Sequence, residues 1–169
     1  MKRLFDVALA LVASVFLLLP IVILGLLVRL TSLGPVLYWS DRVGQHNKIF
    51  KMPKFRSMQV GTPAVATHLL TDAHSHLTPI GAFLRKSSLD ELPQLWNVLS
   101  GQMSLVGPRP CLLNQDELIS ERAAYGVFDV RPGITGLAQI QGIEMSTPEL
   151  LALTDAKMSK RMNVFIYFW

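Results

Sequence analysis

The sequence predicts an α+β protein held at a membrane by an N-terminal hydrophobic helix. Three observations carry that prediction. Residues 7–28 form an uncharged run between Asp6 and Arg29. Two short runs rich in branched and aromatic residues, 36–39 and 48–52, flank a polar stretch that reads as a turn. Further on, apolar residues recur at helical spacing.

The chain has 169 residues, enough for one domain-sized core. Half of them are apolar and only 17% are charged, below the roughly 25% usual for soluble domains. The formal charge is +4. Its positive part gathers early: Lys2, Arg3, Arg29, Arg42, Lys48, Lys51, Lys54 and Arg56 face only Asp6 and Asp41 in the first sixty residues. A basic region beside a hydrophobic segment suits anionic lipid or a phosphate-bearing substrate. No nucleic-acid motif is present, so nucleic acid is not expected as a partner. Cys111 stands alone. It reads as a small packing residue in a protein that forms no internal disulfide and faces the cytoplasm.

As one helix, residues 7–28 reach about 33 Å, enough to cross a hydrocarbon core of about 30 Å. The run is too long for a signal peptide and lacks a small-x-small cleavage pattern. Two features compete with a plain span. Both flanks are basic, whereas a span usually carries its Lys/Arg excess on one side. Pro20 also sits inside the run, where its missing N–H breaks the hydrogen-bond ladder. A re-entrant hairpin and a straight span both remain open from these features. Either way a boundary falls near residue 30, with a membrane segment over 1–30 and the folded body over 31–169.

Along the body, 36–39 and 48–52 are expected to pair as a hairpin. Residues 61–79 read as a surface loop. Its His68, His74 and His76 match no common metal-ligand spacing. Leu92, Leu95, Trp96 and Leu99 fall on one face of an expected amphipathic helix that stops at Gly101. Residues 114–124 read as a helix, and Thr147-Pro148 opens another as N-cap and first position. The aromatic end, 164–169, suits either a membrane boundary or a core strand.

The adjacent carboxylates Asp90 and Glu91 have two readings. Ser88-Leu89-Asp90-Glu91 has the form of a capping box, which Pro93 weakens by falling at the fifth helical position. Alternatively, one carboxylate attacks phosphorus while its neighbour holds a divalent cation. Gly107-Pro108-Arg109-Pro110 and Arg131-Pro132-Gly133-Ile134-Thr135-Gly136 are rigid turns that can present an arginine fork to phosphate.

Six segments are then read together. They are Lys2-Arg3-Leu4-Phe5-Asp6, Gly34-Pro35, Lys54-Phe55-Arg56-Ser57-Met58, Ser88-Leu89-Asp90-Glu91-Leu92-Pro93-Gln94-Leu95-Trp96-Asn97-Val98-Leu99, Met103-Ser104-Leu105-Val106-Gly107-Pro108-Arg109-Pro110, and Arg131-Pro132-Gly133-Ile134-Thr135-Gly136-Leu137-Ala138-Gln139. In this order and spacing, over about residues 1–158, they resemble the bacterial sugar transferase family, the monotopic phosphoglycosyl transferases. The resemblance implies a monotopic protein with its catalytic domain on the cytoplasmic face of the bacterial inner membrane, held by a re-entrant helix broken at Pro20. It implies transfer of a sugar phosphate from a UDP-sugar to polyprenyl phosphate in two steps, with release of UMP. Carried over by position, Asp90 is the nucleophile and Glu91 binds Mg²⁺. Lys54, Arg85, Arg109, Arg131 and Gln139 contact substrate, with Asp155 as a further candidate. Self-association and downstream glycosyltransferases are the other partners such a step implies.

The chain departs from the family pattern in places: Leu19 stands where Ser commonly precedes the membrane proline, Gln102 replaces Asp, and Leu137 replaces Trp. Gln141-Gly142-Ile143 replaces Asn-Gly-Arg. The wording of 51–58 and 146–151 is most similar to members that start glycan or O-antigen assembly with an N-acetylhexosamine phosphate, beside which glucose or galactose phosphate stands open. Two rivals come from other classes: a membrane adaptor and a metal-dependent nucleotide-sugar hydrolase.

Overall fold

A computed structural model describes residues 1–63, 75–143 and 147–167, with side chains as far as Met162. The hydrophobic run lies within one helix, α1 (Lys2–Thr31), long and apolar enough to cross a membrane. Little of it is covered by protein: Phe16 is 78% exposed and Leu19 68%. A continuous apolar surface of this kind calls for lipid. The expected interruption at Pro20 is not a gap in the helix, since α1 continues through it. A proline removes one hydrogen bond and bends a helix without having to end it.

Strands β1 (Leu37–Val43) and β2 (Ile49–Phe55) pair in a two-stranded sheet. Their short connection closes where Gly44 N–H donates to the Lys48 carbonyl at 2.9 Å. Both strands outrun the hydrophobic signal, because Ser40, Arg42 and Lys54 continue them. Then follow α2 (Gly81–Lys86), a 3₁₀ turn (Leu89–Gln94), α3 (Leu95–Ser100), β3 (Ser104–Val106), α4 (Asp116–Ala124), β4 (Gly133–Thr135), α5 (Leu137–Ile140) and α6 (Pro148–Tyr167).

The chain divides into two compact units interleaved in sequence: Met1–Leu11, Asp41–Phe50 and Trp96–Trp169 form one, Val12–Ser40 and Lys51–Leu95 the other. In the second unit Leu24, Val28, Phe55 and Leu84 form the core, with Leu89 and Leu92 packed against it. Arg56, 5% exposed, closes the end of α1 there. It donates to the carbonyls of Ser32 (3.0 Å), Leu33 (2.5 Å) and Pro35 (2.7 Å), fixing the turn that follows the helix.

In the first unit the core is Val43, Cys111, Leu118, Phe128, Ala138 and Leu151. Cys111 is wholly buried there, and burial pushes its thiol up, which suits an inert packing residue. The first turn of α1 is tied into this unit. Lys2 pairs with Asp6 at 2.9 Å, Ser104 Oγ donates to Asp6 at 2.8 Å, and Arg3 donates to the carbonyls of Val98 (2.5 Å) and Leu99 (2.9 Å) at the end of α3.

Two expectations are revised and a third stands. The amphipathic helix over 92–99 is a 3₁₀ turn followed by the short α3, because Pro93 cannot donate in an α-helical ladder. That shift leaves Trp96 64% exposed. The chain end up to Tyr167 is helical, which removes the strand reading for 164–167. The glycine stop stands as expected: Gly101, with φ of +91°, follows Ser100.

Candidate active site

Asp90 and Glu91 begin on a distorted piece of backbone. Ser88 has φ of +56°, a left-handed conformation uncommon outside glycine, and its side chain makes no capping hydrogen bond. The capping-box reading therefore falls. Glu91 Oε1 instead accepts from Lys54 Nζ at 2.7 Å, both side chains being largely buried. The turn itself is bonded through its backbone, Glu91 N–H donating to Ser88 O at 3.2 Å. Leu89 and Leu92 fasten it to the apolar core from either side of the carboxylate pair.

Asp90 is only 7% exposed. Burial raises its pKa above the ordinary 3.8, and Glu91 adds to the rise. Lys54 and Arg85 oppose it, stabilising the anion. β2 supplies Lys54, the last turn of α2 supplies Arg85, and the 3₁₀ turn supplies both carboxylates. The structure thus brings four of the expected residues into one electrostatic group in the second unit. A desolvated carboxylate beside specific cations is a common signature of a reactive site.

Arg109, Arg131, Gln139 and Asp155 belong to the first unit. The two Gly/Pro/Arg loops, read separately in the sequence, are joined backbone to backbone. β3 and β4 pair in parallel, Ser104 with Gly133 and Val106 with Thr135. Gly107 N–H donates to Thr135 O at 3.0 Å, and Gly133 N–H to Pro108 O at 2.9 Å. The approach requires glycine: a Cβ on Gly107 would lie 2.5 Å from Arg131 O, and one on Gly133 would lie 2.1 Å from Gly107 N.

Arg131 donates Nε to Gly101 O at 2.9 Å and lines a cavity of about 230 Å³ with Lys2, Asp6, Ser104 and Asp129. Gln139 uses its side-chain oxygen to accept the Gly136 N–H at 2.8 Å, capping α5. Asp155, 1% exposed, is buried against Arg122, whose Nη2 lies 2.6 Å from its Oδ2. The sequence reading passed over Arg122. Its spacing of four from Leu118, which puts an arginine on the buried face of α4, was the available signal.

Among the described residues no group of three or more His, Cys, Asp and Glu forms a metal cage. His68 and His74 lie outside the described residues. The Asp90–Glu91 donor set is oxygen-only and small. It fits Mg²⁺, which typically takes one or two carboxylates and completes its shell with water and substrate phosphate.

The family model described as bacterial sugar transferase matches residues 1–168. A UDP-glucose:undecaprenyl-phosphate glucose-1-phosphate transferase of Klebsiella pneumoniae is 41% identical over 167 residues, 96% of this chain and 34% of that protein. An undecaprenyl-phosphate galactose phosphotransferase of Salmonella typhimurium is 41% identical over 124 residues, 64% of this chain and 26% of that protein. The exopolysaccharide production protein PSS of Rhizobium leguminosarum bv. phaseoli is 40% identical, covering 99% of this chain and 84% of that protein. The chain thus spans about a quarter to a third of the first two relatives and most of the third.

Proposed function

Since the chain belongs to the bacterial sugar transferase family, we propose that it transfers a sugar-1-phosphate from a UDP-sugar to polyprenyl phosphate, with Asp90 as covalent nucleophile. The observation that carries this reading is the buried Asp90 held among Glu91, Lys54 and Arg85. In the first step an Asp90 carboxylate oxygen attacks the sugar-proximal phosphorus. A P–O bond forms to Asp90, the bridging P–O bond breaks, and UMP departs with the electron pair. In the second step a polyprenyl phosphate oxygen attacks the same phosphorus and Asp90 leaves as a carboxylate. Two easier displacements replace one difficult one.

Lys54 and Arg85 favour the Asp90 anion against the effect of burial, and Arg109 and Arg131 neutralise nucleotide phosphate. Glu91, with Asp90 beside it, would hold Mg²⁺. When bound, the ion supplies charge neutralisation to the diphosphate.

Residues 1–30 serve as the membrane segment and 31–169 as the catalytic body at the cytoplasmic face of the inner membrane. A re-entrant α1 is supported by its two basic flanks. Its start is tied to Ser104, Val98 and Leu99, and its end to Arg56. Basic residues lie at both ends of the helix, Lys2 and Arg3 at its start and Arg29 at its close, as a segment that enters and leaves on the cytoplasmic face would carry them.

The wording of residues 51–58 and 146–151 favours an N-acetylhexosamine phosphate, whereas the names of the relatives carry glucose and galactose. UMP release measured over a panel of UDP-sugars, with polyprenyl phosphate in mixed micelles, tests the reading and identifies the sugar. A lipid-linked phosphosugar is the expected product. Free sugar phosphate alone would make the chain a hydrolase, and no turnover would leave the adaptor reading.

A further inference from the structure

We propose that Arg122 and Asp155 are a positioning pair that fixes Arg109 through its own backbone carbonyl. The inference rests on the reading of Arg109 as a substrate contact. Arg122 extends from α4 and Asp155 from α6, and each residue is 1% exposed. Arg122 Nη2 donates to Asp155 Oδ2 at 2.6 Å, while Nη1 donates to the Arg109 carbonyl at 2.7 Å. Asp155 is thereby linked to the Gly107-Pro108-Arg109-Pro110 loop through Arg122.

Stability alone does not account for the pair. Removing two charges from water is costly, and a well-packed apolar pair of the same volume is often as stable or more so. The pair is also incompletely satisfied: Arg122 Nε and Asp155 Oδ1 are buried without a hydrogen-bond partner. What an apolar pair cannot supply is a directed N–H at the Arg109 carbonyl.

The loop is held in this way along its length. The Pro108 carbonyl accepts from Gly133 N–H at 2.9 Å, the Arg109 carbonyl from Arg122, and the Pro110 carbonyl from Arg42 at 3.2 Å. With three successive carbonyls fixed, the Cα–Cβ direction of Arg109 is fixed as well. Asp155 sets the fork of Arg122, so that one guanidinium edge meets the carboxylate while Nη1 meets the carbonyl.

The test uses the full chain in detergent or nanodiscs with three variants: Arg122→Lys, Asp155→Asn and the apolar double Arg122→Met/Asp155→Leu. Two readouts are taken. Hydrogen exchange of the peptide covering 107–112 reports the loop itself. A double-mutant cycle with Arg109→Ala reports function. Exchange should quicken in all folded variants, and kcat/KM for the UDP-sugar should fall at least about tenfold. That loss should be largely absent when Arg109 is already alanine. If the apolar double fails to fold, Arg122→Lys keeps an ion pair with Asp155 but cannot reproduce the fork, and decides the matter. Unchanged exchange at 107–112, or losses that simply add to that of Arg109→Ala, overturns the positioning pair. Quickened exchange with wild-type kinetics in Arg109→Ala upholds the pair and removes Arg109 from substrate binding.

Discussion

Lys54 Nζ donates to Glu91 Oε1 across 2.7 Å, so the cation that most favours the Asp90 anion is held by that nucleophile's chain neighbour. The arrangement has consequences for both partners. Lys54→Met should leave Glu91 and Asp90 as adjacent buried carboxylates without their chief counter-charge. A loss of at least about tenfold in kcat/KM is expected, roughly 1.4 kcal/mol of transition-state stabilisation. Glu91→Gln keeps the shape and removes a charge, so the Mg²⁺ concentration for half-maximal UMP release should rise. Wild-type Mg²⁺ dependence in Glu91→Gln would place the ion elsewhere.

The pH dependence follows from the raised pKa of Asp90. Attack needs the anion, so kcat/KM should fall as pH drops through a value above the ordinary 3.8. Stability runs the other way. A carboxyl whose folded pKa is raised binds protons more readily when folded, so it loses stability as pH rises from 3.8 through that pKa. Asp90→Asn should therefore melt higher than the wild type at neutral pH, with the gap closing under acid. An equal melting temperature at neutral pH would mean Asp90 is not desolvated.

Ser88 supplies a test of backbone geometry. Its left-handed conformation costs a non-glycine residue about 1 kcal/mol or more. Ser88→Gly should retain UMP release and melt at or above the wild-type temperature. Ser88→Val, β-branched, should resist that conformation, displace the turn and lower UMP release at least about tenfold. Equal activity in the two variants would show that the turn does not position Asp90.

These residues also mark where the sequence was legible. The run over 7–28, the helix near 114–124 and the glycine stop at Gly101 were readable because each is set by neighbours in the chain. The capping-box pattern at Ser88 misled, since Glu91 found a stronger partner in Lys54, 37 residues earlier. The face proposed through Trp96 failed because Pro93 resets the helical period. Asn97, meanwhile, is wholly buried and donates to Gln102 Oε1 at 2.8 Å. The joining of Gly107 to Gly133 was hidden for another reason: parallel pairing between distant segments leaves no local periodicity. Its trace was only that both turns carry a glycine beside a proline.

Pro20 is expected to govern topology. Single cysteines at Met1 and Lys48, both exposed, can be labelled from either side of the membrane in a Cys111→Ser background. In the wild type both should react from the cytoplasmic side. Pro20→Leu restores the backbone N–H and favours a straight helix, moving Met1 to the far side in part of the population. Opposite sidedness of the two cysteines in the wild type would establish a plain span.

Asp90 carries the sharpest expectation. An aspartyl phosphosugar can form before any lipid acceptor arrives, because the first displacement needs only the UDP-sugar. Intact-protein mass spectrometry after brief incubation with the correct UDP-sugar should show the added phosphosugar, accompanied by one equivalent of UMP. Initial rates should follow ping-pong kinetics, with parallel double-reciprocal lines as polyprenyl phosphate is varied. Glu91 is adjacent, so fragmentation of the labelled peptide must locate the adduct. Asp90→Asn preserves shape but removes the anion, and both adduct and UMP burst should disappear. Glu91→Gln should slow the burst while leaving the adduct on Asp90. If initial-rate lines intersect and no adduct is found under turnover conditions, the lipid phosphate attacks the UDP-sugar directly. Asp90 would then act as its base, and the buried carboxylate with its two cations would serve proton transfer rather than covalent capture.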